Sequence, residues 1–385
     1  ARTGADVLLI ERSNFLGGCA ATGIHFQSFH NIRGEQIVRG IPQEVVEKLT
    51  NLGASPGHVL PPNGITCTSY TVFDPEMLKY VALQMVQKAG ARLLLHTLVC
   101  RAIVEQQAVR GVIVENKSGR QAILAKVTID ATGDGDVAVR AGAPYEKRDT
   151  SSLQPGTLMF RMTNVDLDKT RQYIQDHPES ISSLRANANG VTWTEHFPKA
   201  EYFVVVGLRE LVQKARQEGL ELPQDYAFFV TLPRKGEVSV NAAKVIGFDG
   251  SDAWDVTRAE VQGRRNAILV ADWFRKYVPG FEDAYIVDTA DHIGVRETRR
   301  IMGDYVLTKE DVLRSRNFAD GIAVCGYCID VHDPKGGLQP FRGVPEQGFD
   351  IPYRCLLPRN VENLLVAGRC CLLYTSPSPR DRTRS

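Results

Sequence analysis

The segment Val7-Leu8-Leu9-Ile10-Glu11, followed closely by Gly17-Gly18, constrains this chain more than any other. Four apolar residues ending in an acid read as a buried parallel strand, and the glycine pair after them as a tight turn. Together they match the second half of a dinucleotide-binding unit, in which that acid accepts hydrogen bonds from ribose hydroxyls. Such a unit opens with a strand, a Gly-x-Gly-x-x-Gly turn and a helix. Only six residues precede Val7, enough for a last helical turn and its exit loop, so the phosphate-binding turn is expected upstream of residue 1.

The other end also departs from a folding pattern. After the strand-like run Asn363-Leu-Leu-Val-Ala-Gly-Arg369, residues 374–385 contain no aliphatic side chain and mix Ser, Pro and Arg. Nothing there can build a core. One reading is a disordered basic tail; the favoured one is translated cloning adaptor, so 372–385 are expected to be a non-native tail outside the fold.

Between these ends the composition is that of a globular protein, 43% apolar and 24% charged over 385 residues, with a formal net charge of +1. A balance so near zero gives no global attraction to nucleic acid or membrane. No run of eighteen apolar residues is present, so no membrane association is expected, and cytoplasm is the default location. The eight cysteines are scattered, without the spacing of a disulfide framework or of an iron–sulfur site. Cys325-Gly-Tyr-Cys328 lies in the strand-like run 321–329 and reads as two packed small residues.

The pattern predicts an α/β fold with two interleaved units. In the first, Asp74-Pro75-Glu76 supplies a cap and first turn for a helix carrying Met77, Leu78, Val81, Met85 and Val86, ended by Gly90. Residues 92–96 then return as a strand. Three short strands over 99–105, 109–115 and 121–125 predict an antiparallel meander inserted into the parallel sheet, with Lys117-Ser-Gly-Arg120 as a hairpin turn. Residues 127–132 return to the sheet. From 156 to 325, strands over 202–206, 228–232 and 237–241 alternate with helices, the longest starting near Asp255 and carrying Val256, Val261, Ile268, Leu269 and Trp273. The expected division is thus a nucleotide-binding domain over 1–155, a mixed α+β substrate domain over 156–325, and a return to the first domain over 326–371.

Thr128-Ile-Asp-Ala-Thr-Gly133-Asp134-Gly135-Asp-Val-Ala138 admits two readings. It matches Gly-x-Gly-x-x-Ala after a strand, as a separate nicotinamide site would. Yet Ala141-Gly-Ala-Pro144 breaks the unit that such a site needs, so a glycine turn at the sheet edge, approaching a cofactor bound elsewhere, is preferred.

Glu11 with Gly17-Gly18, the 131–136 turn, Gly294-Val-Arg-Glu-Thr-Arg-Arg300 and the 363–369 run, in this order, resemble the FAD-dependent oxidoreductase family. The likeness is to flavoproteins related to the flavin-binding subunit of heterodisulfide reductase and, further off, to glutathione-reductase-type Rossmann-like folds. It implies FAD in extended form, with Glu11 and Arg12 at the adenosine ribose and Gly17 and Gly18 at the pyrophosphate or ribityl chain. Gly133, Asp134 and Gly135 would lie near the adenosine end, Gly368 and Arg369 near the flavin. The chain departs from the pattern at the first glycine loop and after Arg369, so reduced cofactor affinity is expected. Some relatives carry iron–sulfur clusters, which the cysteine spacing here does not support.

The implied activity is hydride or electron transfer between bound FAD and a small organic substrate. The alternatives are an FAD-binding electron-transfer subunit with a protein partner, and a nicotinamide-only dehydrogenase. Arg296 is a candidate for binding a substrate carboxylate or stabilising reduced flavin, and His292 for taking a proton. Asp330 and His332, two apart on an expected strand, share one face and suit a carboxylate–imidazole base. Glu297 and Arg300 are expected in local ion pairs. Tyr353 and Arg354 are candidates for lining the same cavity. Cys19, next to Gly18, reads as a packing residue or a thiol near the cofactor. Arg264-Arg265 and Arg299-Arg300 are too short for nucleic-acid patches and read as solvated faces.

Overall fold

The computed structural model describes residues 1–60, 68–181, 200–337 and 345–371. Strand β1 (Leu8–Ile10) pairs in parallel with β2 (Arg92–Leu94), Leu9 opposite Leu93. Helix α1 (Pro75–Lys88) precedes β2, its start fixed by Asp74, whose carboxylate accepts the Glu76 and Met77 N–H groups, and Leu78, Val81 and Met85 are buried. The predicted helix-to-strand return is present. β1 is half-buried along its length, not buried as expected, because β2 is its one strand neighbour among the described residues.

β3 (Leu98–Glu105), β4 (Ala108–Asn116) and β5 (Gly119–Leu124) form the predicted antiparallel meander. β6 (Thr128–Asp130) then pairs in parallel with the last strand, which covers Leu364–Val366, so chain segments more than 230 residues apart share one sheet. Asp130 is fully buried and organises the turn after β6. Its Oδ1 accepts from Thr132, and its Oδ2 from the N–H groups of Val137 and Ala138 at the start of the short helix α2 (Asp136–Arg140).

The second unit is a five-stranded antiparallel sheet preceded by β7 (Gly156–Thr157). Its strands are β8 (Phe160–Thr163), β9 (Val204–Gly207), β10 (Ala227–Thr231), β11 (Val238–Val240) and β13 (Tyr285–Thr289), in the spatial order β9-β10-β11-β8-β13. Between the last two in sequence come β12 (Lys244–Val245) and the long helix α3 (Ala253–Tyr277). Phe229 packs on Phe274 and Phe281, with ring centroids 5.8 and 5.4 Å away, and all three rings are buried. Burying each such ring contributes roughly 2–3 kcal/mol. On β8, the Arg161 guanidinium meets the carboxylates of Glu237 at 2.7 Å and of Asp288, a buried cation fully matched.

Three expectations need correction. Trp273 is buried and Val256 and Leu269 pack on the core as expected, but Val261 and Ile268 are 50% and 54% exposed, and α3 turns Ala259, Gly263, Ala267, Val270 and Phe274 inward as well. The small residues win because the helix lies close to the sheet: a Cβ on Gly263 would stand 2.9 Å from that of Leu158. Ile301, Leu307 and Val312, expected in the second unit, pack in one core with Val109, Val137 and Leu364. Finally, the 321–329 run is a strand, β14, only over Gly321–Cys325, and its residues are mostly exposed. Cys328 is buried as a packing residue should be, at 4% exposure. Residues 372–385 lie outside the described residues.

Candidate functional site

Short backbone ladders bring the chemistry together. β12 pairs antiparallel with β7, setting Lys244 opposite Thr157, and Thr157 exchanges both backbone hydrogen bonds with Gly294, at 3.2 and 2.9 Å. Arg296 follows two residues on. From the opposite side comes the segment after β14, which has no regular structure at 330–332. Here His332 donates its N–H to Gln154 Oε1 at 2.9 Å.

Lys244 was not singled out from the sequence, yet it is only 2% exposed. Its Nζ donates to the Gly336 carbonyl at 2.8 Å and stands 4.6 Å from the centre of the Tyr226 ring. Among the described residues no carboxylate comes within 4.0 Å of it. Burial pushes its pKa down to about 8, and the charge of Arg296 adds to that, against Asp225, Asp330 and Asp333. Burial likewise raises the Tyr226 phenol to about 12, so it stays a neutral hydrogen-bond donor.

Arg296 makes no hydrogen bond or ion pair among the described residues, and its Nε is buried without a partner. Asp330 and His332 do meet, Oδ1 to Nε2 at 3.4 Å, although not on a strand as expected: the loop itself turns them together. Tyr327 donates to the other oxygen of Asp330 at 3.0 Å. Burial would raise the Asp330 pKa, but His332, Arg296 and Tyr327 together hold it below the usual carboxylate range. Burial and the Arg296 charge lower His332, against the pull of Asp330.

Other candidates go elsewhere. His292 stands beside Cys19, Nε2 to Sγ at 4.0 Å, near Arg12 and Glu11. Burial and Arg12 lower its pKa. Glu297 is bound by Arg148, by Arg300 and by the Gln154 side chain, so the expected ion pairs are present. Arg299 pairs with Asp136 at 2.6 Å, and both Arg299 and Arg300 are half-buried in these pairs, not on the solvated face expected of them. Arg264 and Arg265 are exposed. Arg354 pairs with Asp320 at 2.9 Å and lies over the Tyr305 ring, while Tyr353 is 42% exposed; neither joins the Lys244 cluster.

The cofactor candidates form two groups. Glu11 ends β1, and its Oε1 accepts the Ser13 N–H at 2.7 Å, leaving Oε2 without a partner among the described residues. Arg12 follows it, and Gly17 and Gly18 open a 3-10 turn next to Cys19. The second group is the pair of turns after β6 and after the Leu364–Val366 strand. Asp134 accepts from Arg369 Nη1 at 2.8 Å and from Thr298, and a Cβ on Gly133 would stand 3.1 Å from Arg369 Nη2. Gly135 packs under Ile301. Gly133 and Arg369, expected at opposite ends of the cofactor, therefore touch, because their strands are parallel neighbours.

These residues fit a bound FAD. A free carboxylate oxygen at the strand end suits a ribose hydroxyl. Gly368, at φ 93°, faces open space where a side chain would stand, which lets a ligand approach backbone. Two separate parallel strand pairs, β1 with β2 and β6 with Leu364–Val366, with a meander between them in sequence, and an antiparallel sheet that carries a buried polar cluster define an α/β protein of the Rossmann-like, nucleotide-binding class.

The sequence profile of the FAD dependent oxidoreductase family matches residues 1–372, and the chain belongs to that family. FAD is accordingly its cofactor. No curated protein matches the chain. Solved structures with distant likeness include a geranylgeranyl bacteriochlorophyll reductase-like protein from Thermoplasma acidophilum, with 14% identity over 76% of this chain and 60% of that one, TM-score 0.42. The myxobacterial chondrochloren halogenase CndH has 14% identity over 78% and 60%, TM-score 0.42. The p-nitrophenol 4-monooxygenase PnpA of Pseudomonas putida has 12% identity over 79% and 65%, TM-score 0.38. The chain spans about three fifths of the length of the first two. Among the described residues no helix is long and apolar enough to cross a membrane, and no group of three or more His, Cys, Asp or Glu is placed to hold a metal ion.

Proposed function

We propose that this protein oxidises or reduces a small organic substrate held beside Arg296, Asp330 and His332. The observation that carries the reading is the Asp330–His332 contact next to an arginine with no partner. His332 Nε2 lies 3.4 Å from Asp330 Oδ1, and a proton held on that nitrogen leaves Nδ1 as the basic atom, without a protein partner among the described residues. Nδ1 takes the proton that a substrate loses as its electron pair departs, Asp330 steadies the imidazolium, and Arg296 balances negative charge. FAD, when bound, supplies the two-electron acceptor or donor. Glu11 holds its ribose, with Arg12, Gly17, Gly18, Gly133, Asp134, Gly135, Gly368 and Arg369 as the rest of the protein lining. His292 and Cys19, near Glu11, border the cofactor and not the substrate.

An electron-transfer protein that passed electrons straight to a protein partner would not need a buried acid–base pair, and that pair favours the substrate reading. Within the family, we infer kinship with the group of the flavin-binding heterodisulfide reductase subunit, supported by the order of the four motifs, and a cytoplasmic location. The test is the visible flavin spectrum of the protein with heat-released cofactor identified by chromatography, followed by anaerobic reduction with candidate substrates. His332→Ala should slow reduction about a hundredfold or more with FAD content unchanged. Unaltered rates in both His332→Ala and Arg296→Ala would remove the assignment.

A further inference from the structure

Two cations, Lys244 buried and Arg296 half-buried with its Nε enclosed, lack the carboxylates that other enclosed charges in the described residues have. Lys244 is buried on β12 with one carbonyl and one aromatic ring for company, and Arg296 has no partner at all among the described residues. Buried charges are ordinarily paired, and Arg161 and Glu297 in this same fold follow that rule. The neighbourhood also holds a buried hydroxyl with no hydrogen-bond partner, Thr157 Oγ1, across the ladder from Lys244. Such a group costs free energy unless a ligand or water meets it, and its O–H can donate to a carboxylate.

We propose that Lys244 and Arg296 together form a carboxylate-binding site, so that the substrate handled by Asp330 and His332 is an organic acid; this rests on the redox reading of that cluster. Arg296 presents the planar fork suited to a carboxylate, and Lys244 adds a point charge from the sheet. The neutral Tyr226 phenol adds a donor beside them. The acid arrives with the negative charge that the two cations lack, and its oxidisable carbon is thereby held beside His332. Lys244 is a positioning and specificity residue in this scheme, with no proton to move.

The experiment is calorimetric titration of the protein with acetate, malonate and benzoate, each against its amide. The acids should bind and the amides should not, and Lys244→Met and Arg296→Gln should each weaken acid binding roughly tenfold to a hundredfold. Without acid, Lys244→Met should be as stable as the parent or more so, because it removes an unpaired buried charge and keeps the apolar stem. Loss of stability, with acid binding retained in a folded fraction, would make Lys244 a structural residue and overturn the proposal. A readout on the unaltered protein covers a variant that does not fold. Burial, with the charge of Arg296, lowers the Lys244 pKa to about 8 against Asp225, Asp330 and Asp333, with Tyr226 and His332 also near it, whereas an arginine stays charged. Acid affinity should therefore fall as pH rises through 8, and a flat profile to pH 9 would overturn the role of Lys244. Acids that bind as expected while His332→Ala leaves flavin reduction unchanged would keep this site and remove the redox reading; His332-dependent reduction without acid binding would do the reverse.

Discussion

Arg296 and Glu297 are neighbours in sequence and opposites in circumstance. Glu297 is held by Arg148, by Arg300 and by Gln154, so both of its carboxylate oxygens have donors. Arg296, one residue earlier, has none. Both lie in the same irregular segment after β13, and both belong to a run rich in charge. What separates them is whether the fold itself completes the pairing. A charge that the protein satisfies holds the turn to the core; a charge that it leaves open is available to something from outside.

Substitution should part the two sharply. Glu297→Ala leaves the half-buried guanidinium of Arg148 without its carboxylate and takes a partner from Arg300, and should cost about 3–5 kcal/mol in urea unfolding. If the midpoint hardly moves, the pairing is not structural and the contrast fails. Arg296→Ala should do the converse: stability within about 1 kcal/mol of the parent, and flavin reduction slowed about a hundredfold, or roughly 3 kcal/mol in the barrier.

Acidity sharpens the comparison further. Burial and Arg296 hold the His332 pKa below 6.5, so the imidazole is neutral and ready as a base at pH 7. Flavin reduction should be flat near neutrality and fall as pH drops through that lowered value. Removing the Arg296 charge should move this acid limb upward, toward 6.5, in a pH–rate profile; an unmoved limb would mean that the two residues do not share a site. Glu11→Ala, at the strand end far along the chain, should weaken FAD binding by about tenfold, measured by fluorescence quenching on titration, with no effect on the acid limb. The smallest effect belongs to Arg354→Ala. Its ion pair with Asp320 is exposed, and neither unfolding midpoint nor reduction rate should change measurably.

Much of this was legible in the chain. The Asp74 cap, the meander over Leu98–Leu124 and the Leu364–Val366 strand follow from spacing, because caps, hairpins and alternation act over a few residues. The Asp330–His332 contact was likewise within reach, two residues apart, although the backbone that makes it is a loop and not a strand. On α3 periodicity found Val256, Leu269 and Trp273 but misplaced Val261 and Ile268, because the helix approaches the sheet closely at Gly263 and small residues take that contact. Lys244 gave no signal. A lysine in the run Asn241-Ala-Ala-Lys-Val looks like any surface residue until the rest of the chain closes over it.

By itself, then, the sequence determined the alternating α/β order, the strand-end acid at Glu11 and the family to which the chain belongs. Only the tertiary structure decided which charges are paired, which glycine turns touch, and that a lysine is buried. The reason is range. Helix caps and hairpins are settled by neighbours, whereas Lys244 meets Gly336 across 92 residues and Arg148 meets Glu297 across 149, and burial exists only once such distant segments have met.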